Sequence, residues 1–228
     1  PHISYYDMHG KQLKYATLTE TGWRIEVVDS AGDVGLYTSL ALDDKDAPHI
    51  SYYDNSNDVL KYAWYDGERW LLETVDDVGK TGLHTALALD RRGRPHISYY
   101  DATNSSLNYA YREGNTWNIS ILDRSGDVGE YSSLAVDAAN QPHISYYDSS
   151  NRDLKYARYD GETWHIETVD SRGNVGSYTS LKLDAYNQPH ISYYDSSNNN
   201  LNYAFSDGSQ WYAGIIDETG RVGLYSSL

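Results

Sequence analysis

The chain has 228 residues and a formal net charge of −15, with 33 acidic residues against 18 Lys and Arg, and it contains no cysteine. That balance excludes the basic surface a nucleic acid requires and disfavours anionic membranes. The missing cysteines exclude a disulfide framework and thiolate chemistry, and no apolar run reaches membrane length, so membrane insertion is not expected.

Read from the first residue, the chain opens on Pro-His-Ile-Ser-Tyr-Tyr-Asp, and the same heptapeptide begins again at Pro48, Pro95, Pro142 and Pro189. A constant spacing of 47 residues divides a single domain, residues 1–228, into repeats 1–47, 48–94, 95–141, 142–188 and 189–228. Each repeat carries four short runs rich in Tyr, Val, Ile, Leu and Thr and bounded by turn residues, the pattern of four strands. In the second repeat these are His49–Tyr53, Leu60–Tyr65, Trp70–Val75 and Thr85–Leu89. Asp66-Gly67, Asp160-Gly161 and Asp207-Gly208 punctuate the second and third runs as hairpin turns. No helical periodicity of useful length occurs.

Four strands repeated five times describe an all-β fold, a five-bladed β-propeller with four antiparallel strands per blade. The chain begins at the heptapeptide strand and ends at Tyr225-Ser226-Ser227-Leu228, the start of the strand that elsewhere precedes the heptapeptide. The ring is therefore expected to close by pairing strands from the two termini, which would remove exposed sheet edges. With 24 Tyr against one Phe and one Met, the core must be built largely of tyrosine.

In such a propeller the Leu-Ala-Leu-Asp strand is innermost, the heptapeptide strand second, Leu-Lys-Tyr-Ala third and the strand after Trp outermost. The loops after the second and fourth strands then share one face. That face presents the recurring Tyr6, Tyr53, Tyr100, Tyr147 and Tyr194, followed by Asp7, Asp54, Asp101, Asp148 and Asp195. Asn57, Asn104, Asn151 and Asn198 follow three residues later, with Gly10 in the first copy. A carboxylate and an amide beside a tyrosine ring suit a sugar, whose hydroxyls take the polar groups and whose apolar face takes the ring. The same residues also suit an Asx-turn, in which Asp caps its own loop. Nearer the axis, Tyr37, His84, Tyr131, Tyr178 and Tyr225 enter the innermost strands and would line or fill the mouth of a central channel.

The recurring His2, His49, His96, His143 and His190 invite a metal reading, but five-fold copies on the second strand should stand roughly 13 Å apart, given a strand spacing of ~4.8 Å. Metal ligands must lie near 2 Å from the ion, so these histidines are expected to serve the structure, with no metal and no cofactor bound. The run Asp43-Asp44-Lys45-Asp46 lacks the ligand spacing of a calcium loop and reads as a solvated turn.

Tyr159-Asp160-Gly161-Glu162-Thr163-Trp164 resembles the Asp-box turn of BNR repeats, with one residue fewer between Asp and Gly. The whole chain is similar to tandem BNR-like repeats of bacterial extracellular proteins, and in blade count and period to five-bladed lectins of the tachylectin-2 type. The BNR likeness implies an extracellular or cell-surface protein, and the lectin likeness one sugar site per blade. Sialidases share the Asp-box but need an arginine triad, and the two inner strands here carry no Arg. Glycosidases need two carboxylates in unequal environments, which near-identical blades oppose. The breaks in symmetry are Glu130, His84 with Ala86, and Met8-His9-Gly10.

These observations lead to a monomeric, non-catalytic module, binding glycans or a cell-surface partner multivalently on the Tyr-Asp-Asn face. A repeat scaffold without a small-molecule ligand and a glycoside hydrolase are the alternatives.

Overall fold

The heptapeptide is rich in strand-favouring Ile and Tyr, and in the computed structural model, which describes all 228 residues, every copy is a strand. The first sheet contains β1 (His2–Asp7), β2 (Gln12–Thr19) and β3 (Gly22–Asp29). The second runs through β4 (Val34–Leu42), β5 (Pro48–Asp54), β6 (Val59–Tyr65) and β7 (Trp70–Asp76). The third contains β8 (Thr81–Leu89), β9 (Pro95–Asp101), β10 (Ser106–Glu113) and β11 (Thr116–Asp123). The fourth contains β12 (Val128–Val136), β13 (Pro142–Asp148), β14 (Asp153–Tyr159) and β15 (Trp164–Asp170). The fifth contains β16 (Val175–Leu183), β17 (Pro189–Asp195), β18 (Asn200–Ser206) and β19 (Trp211–Asp217). Every sheet is a meander in chain order, as expected when each strand is joined to the next by a short turn.

The chain forms two compact units, Pro1–Asn104 with Tyr109–Ser120, and Ser105–Asn108 with Ile121–Leu228. In the first, Leu13, Tyr15 and Val28 of the first sheet pack with Val34, Ile50, Tyr52 and Ala63 of the second. In the second, Leu154 and Tyr156 pack with Val175, Leu181, Ile191, Tyr193 and Ala204, the same arrangement three repeats later.

Two devices set the approach of consecutive sheets. The first is a buried polar contact: the Tyr52 hydroxyl donates to Asp29 at 2.7 Å, and Tyr99–Asp76, Tyr146–Asp123 and Tyr193–Asp170 repeat it at 2.6 to 2.7 Å. Lys61 and Lys155 add their ammonium groups to Asp29 and Asp123. Burial pushes the Asp123 carboxyl up, but Lys155, Tyr146 and Ser125 outweigh it and hold it at about 2. The second device is a glycine. A Cβ on Gly35, Gly82, Gly129, Gly176 or Gly223 would come within 2.7–2.8 Å of the Cα of Leu13, Leu60, Leu107, Leu154 or Leu201. These glycines also have φ between 94° and 110°, so a side chain is refused twice over.

The first strand of each complete sheet is longer than the sequence pattern predicts. In the second repeat it begins at Thr81, not Thr85. Its start is broken by bulges that hide the period-2 signal: on β4, Leu36 faces Tyr53 while Ser39 faces Ser51, so two residues, Tyr37 and Thr38, stand opposite one.

The expected closing ladder is not shown. The first sheet has three strands, and no strand is assigned after Asp217. The tail nevertheless sits on the fifth sheet as a first strand would: Val222 N–H donates to the Asn199 carbonyl at 3.0 Å, Ser226 meets Ser192 at 2.9 Å, and Leu228 N–H reaches Ser180 Oγ at 3.1 Å.

The histidines of the heptapeptides lie under the hairpins. Nδ1 of His49, His96, His143 and His190 meets the hydroxyl of Tyr62, Tyr109, Tyr156 and Tyr203. Nε2 faces Asp43, Asp90, Asp137 and Asp184 at 3.6–3.9 Å. Those carboxylates cap their own turns; Asp43, for example, accepts from the N–H groups of Lys45 and Ala47 at 2.8 Å. Burial lowers the pKa of His49, His96 and His143 against the opposing pull of Asp43, Asp90 and Asp137, and burial pushes His84 down to about 4.

Replacing Tyr52 with Phe leaves Asp29 with only Lys61 and the Ala31 N–H and is expected to lower unfolding free energy by about 1–3 kcal/mol. Gly82→Ala, which must strain the backbone at φ 94° and displace Leu60, is expected to cost at least as much, ~1–3 kcal/mol or more. Urea denaturation of the three proteins checks both. The buried histidines also predict an acid limb. Their protons are taken up first by the unfolded chain, so stability is full above the ordinary histidine value of 6.5 and falls as pH drops through 6.5 toward 4. A urea midpoint that stays constant across that interval would contradict this.

Candidate functional site

The loops after β5, β9, β13 and β17 are bound to the loops that precede β4, β8, β12 and β16, which places both sets on one face of each sheet. Asn55 N–H donates to the Asp33 carbonyl at 2.8 Å, and Asp33 N–H donates to Ser56 Oγ at 2.7 Å. The same pair of contacts joins Ala102 with Lys80 and Lys80 with Thr103, both on backbone N–H groups.

On this face the recurring Asp and Asn come together within their own loops. Asp54 Oδ1 accepts from the backbone N–H of Ser56 and Asn57 at 3.0 and 3.1 Å, and Oδ2 accepts from Asn57 Nδ2 at 2.9 Å. Asp101 with Asn104, Asp148 with Asn151 and Asp195 with Asn198 repeat the side-chain contact at 2.7–2.9 Å. Asp54, Asp101, Asp148 and Asp195 are buried at 1–3% exposure. Asp7 differs: it accepts from the His9 and Gly10 N–H groups and pairs with Lys14 at 2.5 Å. This is the geometry of an Asx-turn. The neighbouring tyrosines turn their hydroxyls into the same loops. Tyr6 donates to Asp33 at 2.7 Å, Tyr147 to Asn174 at 2.7 Å, Tyr194 to Asn199 at 2.6 Å, and Tyr53 to Asp58. The Tyr100 ring is buried at 8% exposure.

The residues entering the first strands form a separate aromatic cluster in each unit. Tyr37 lies 4.5 Å from His84, and Tyr178 lies 4.5 Å from Tyr131 and 4.4 Å from Tyr225, between ring centroids. All five have φ of 52–55°, a left-handed conformation that bulky residues rarely hold, and in β4, β8, β12 and β16 it coincides with the bulge. Glu130, beside Tyr131, has its carboxyl raised by burial and by Asp127.

A third feature lies on the opposite edge, at the hairpin turns. Between the first and second sheets is a cleft of about 520 Å³, walled by Tyr15, Glu26, Trp70, His49 and the Pro48 and Gly67 turns. Between the fourth and fifth is one of about 430 Å³, walled by Tyr156, Glu167, Trp211 and the Pro189 and Gly208 turns. The two sets are 141 residues apart position by position, which is three repeats. In each, Trp Nε1 donates to the Glu of the preceding sheet: Trp70 to Glu26 at 2.9 Å and Trp211 to Glu167 at 3.0 Å. The Tyr and Trp rings meet edge to face at 5.3 Å and 5.0 Å. Arg24 pairs with Glu26 at 2.5 Å, and Arg158 lines the second cleft.

Between the second and third sheets the same Tyr–Trp–Glu set is present as Tyr62, Trp117 and Glu73, with Trp117 Nε1 donating to Glu73 at 3.1 Å. The sequence signal for these sets is Glu three residues after Trp, at Trp23–Glu26, Trp70–Glu73 and Trp164–Glu167. It does not stand out along the chain, because each Glu meets the Trp of the following repeat, 44 residues on.

No family model matches the chain, and no curated protein sequence matches it. Solved structures do share its fold. The Aleuria aurantia lectin AAL, in a mutant form complexed with Fucα1-6GlcNAc, is similar at 15% identity and a TM-score of 0.67, over 98% of this chain and 77% of that one. A mutant of AofleA from Arthrobotrys oligospora is similar at 13% identity and 0.65, over 98% and 73%. An ulvan lyase of polysaccharide lyase family PL25 is similar at 16% identity and 0.66, over 96% and 69%. The fold class is therefore the all-β propeller, built here from one antiparallel sheet per repeat.

Proposed function

We propose that this chain is a non-catalytic carbohydrate-binding module with several sites. The observation that carries this reading is the aromatic-walled cleft that recurs three repeats apart with its Tyr, Trp and Glu unchanged. A pyranose offers an apolar face to an indole and hydroxyls to a carboxylate and a guanidinium, and both clefts present that combination. Their size is that of small-ligand sites, which run from about 300 to 1,000 Å³. Similarity to AAL, whose complex contains a fucosylated disaccharide, supports a glycan ligand and puts fucosides first among candidates. The turn-capping Asp54, Asp101, Asp148 and Asp195 support the sheets on the other face, and the proposed sites are at the hairpin edge. Recurrence would let weak single sites combine into useful avidity.

Displayed multivalently on a glycan array, with and without calcium, the protein is expected to bind one sugar class reproducibly and to be competed by the free sugar. Trp70→Ala with Trp211→Ala should weaken that binding about tenfold or more, because each site gives up ~0.5–1.5 kcal/mol of stacking on the indole and the avidity between sites falls with it. A blank array under both conditions would refute the module and favour a ligand-free scaffold.

Glu130 supports a second reading. Its carboxyl, raised by burial, is the environment a general acid needs, and the similarity to a lyase gives catalysis on a polysaccharide a precedent in this fold. Under that reading, a chromogenic glycoside or an unsaturated-uronate assay would show turnover, and Glu130→Gln would abolish it. No turnover across a broad panel removes this alternative.

A further inference from the structure

The clefts share their Tyr, Trp and Glu and differ at several wall positions, two of which face each other across the cleft. On the wall of the earlier sheet these are Thr17, Trp64 and Arg158; on the wall of the later sheet they are Tyr65, Arg112 and Ser206. Thr17 with Tyr65 and Arg158 with Ser206 line open clefts. The middle pair behaves otherwise. Arg112 lies with its guanidinium 4.9 Å over the Trp64 ring and donates to Glu73 at 2.8 Å. The Trp64 ring is in turn stacked on Tyr62 at 5.4 Å. The Arg112 side chain is only 18% exposed, and its Nε is buried without a hydrogen-bond partner.

A buried guanidinium donor left unpartnered is costly, so nothing intrinsic to Arg112 favours this position except the indole face and the carboxylate it covers. Glu73 is the counterpart of the carboxylates a sugar would use in the neighbouring clefts, and Trp64 stands where those clefts have Thr17 and Arg158. The chain's own side chain therefore lies where a ligand would, with its N–H donors on the shared carboxylate and its flat face against an indole, Trp64, that the open clefts do not have.

We infer that the cleft between the second and third sheets is a third site of the same kind, occupied by Arg112, and that the valency of the two described units is set by the pair at positions 64 and 112 and their counterparts, not by the number of repeats. This rests on the carbohydrate-binding reading and specifies it. The ligand class is a neutral pyranose. Glu26 is already paired with Arg24, and Glu167 shares its cleft with Arg158, while the further carboxylates on the walls, Asp43, Asp46 and Asp66 in the first and Asp137 in the second, oppose an anionic sugar.

The test exchanges the pairs. Trp64→Thr with Arg112→Tyr gives the middle cleft the residues of the first, and Arg158→Trp with Ser206→Arg gives the later cleft the plug of the middle one. The indole N–H resonances of Trp70, Trp117 and Trp211 report on the three clefts separately. They are followed by NMR during titration with methyl α-L-fucoside, methyl α-D-mannoside and N-acetylglucosamine at millimolar concentration.

In the wild type, one of these sugars should move the Trp70 and Trp211 signals and leave Trp117 in place. The first exchange should add Trp117 to the responding set, and the second should remove Trp211 while Trp70 still responds. Sugar-dependent shifts that avoid all three indoles would overturn the cleft assignment and leave a carbohydrate module binding elsewhere. A Trp70 response with Trp117 silent in the first exchange and Trp211 still responding in the second would overturn the role of Arg112. No response to any of the sugars in either protein would overturn the assignment together with the reading it rests on. Should either exchange fail to fold, the other decides the matter by itself.

Discussion

The buried hydrogen bond from a heptapeptide tyrosine to the aspartate closing the preceding sheet is the contact the other features depend on. Tyr52 and Asp29 are 0% and 3% exposed, and the tyrosine ring fills the space between two sheets while its hydroxyl joins Lys61 and the Ala31 N–H in satisfying the buried carboxylate. A hydrogen bond to a charged group contributes about 1.5–3 kcal/mol, and an unpartnered buried carboxylate costs more than that. Because Asp29 also caps the Ala31 N–H at 2.9 Å, the same contact orders the loop leading into β4. The glycine that follows then brings β4 against β2 closely enough that no side chain fits. Packing, loop conformation and sheet spacing thus follow from one polar pair, used four times.

This division of labour explains why some positions repeat and others vary. The Tyr, Asp and Gly that hold sheet to sheet, and the His that ties each hairpin to its own sheet, recur because each faces the same partner in every copy. The hairpin edge is under less constraint, since its walls are half-exposed and its turns are closed by local Asp caps. There the chain carries Thr, Trp or Arg on one wall and Tyr, Arg or Ser on the other. Variation confined to the rim of a recurring cleft changes what the cleft admits without disturbing the packing beneath it. The arginines at positions 24, 112 and 158 come from non-equivalent places in the repeat, which rigid symmetry alone would not produce.

Much of this is legible in the linear pattern. The turns at Asp66-Gly67 and Asp160-Gly161, the period-2 strands and the 47-residue spacing lead to the right strands in the right order, because hairpin geometry and alternation are local. The first strand of each complete sheet reads short, since a bulge at Tyr37 and its counterparts interrupts the alternation that marks a strand. The Asp–Asn motif is visible, but sequence spacing is the same for an Asx-turn and for a pair of ligand-binding side chains. Burial of the carboxylate and the direction of Asn57 Nδ2 separate the two, and neither is a property of the motif itself. The clefts are invisible along the chain because their walls come from different repeats.

By itself the sequence determined the repeat, the strand content and the turn chemistry, all of which rest on a fixed spacing or on neighbours within a few residues. Only the tertiary structure decided where Trp70 meets Glu26, that Arg112 lies over Trp64, and which glycines touch backbone. Those facts depend on contacts between sheets whose residues are far apart along the chain, 44 positions in the case of Trp70 and Glu26, and the distance across a packed interface is set by side-chain volume and hydrogen-bond geometry, not by order along the chain.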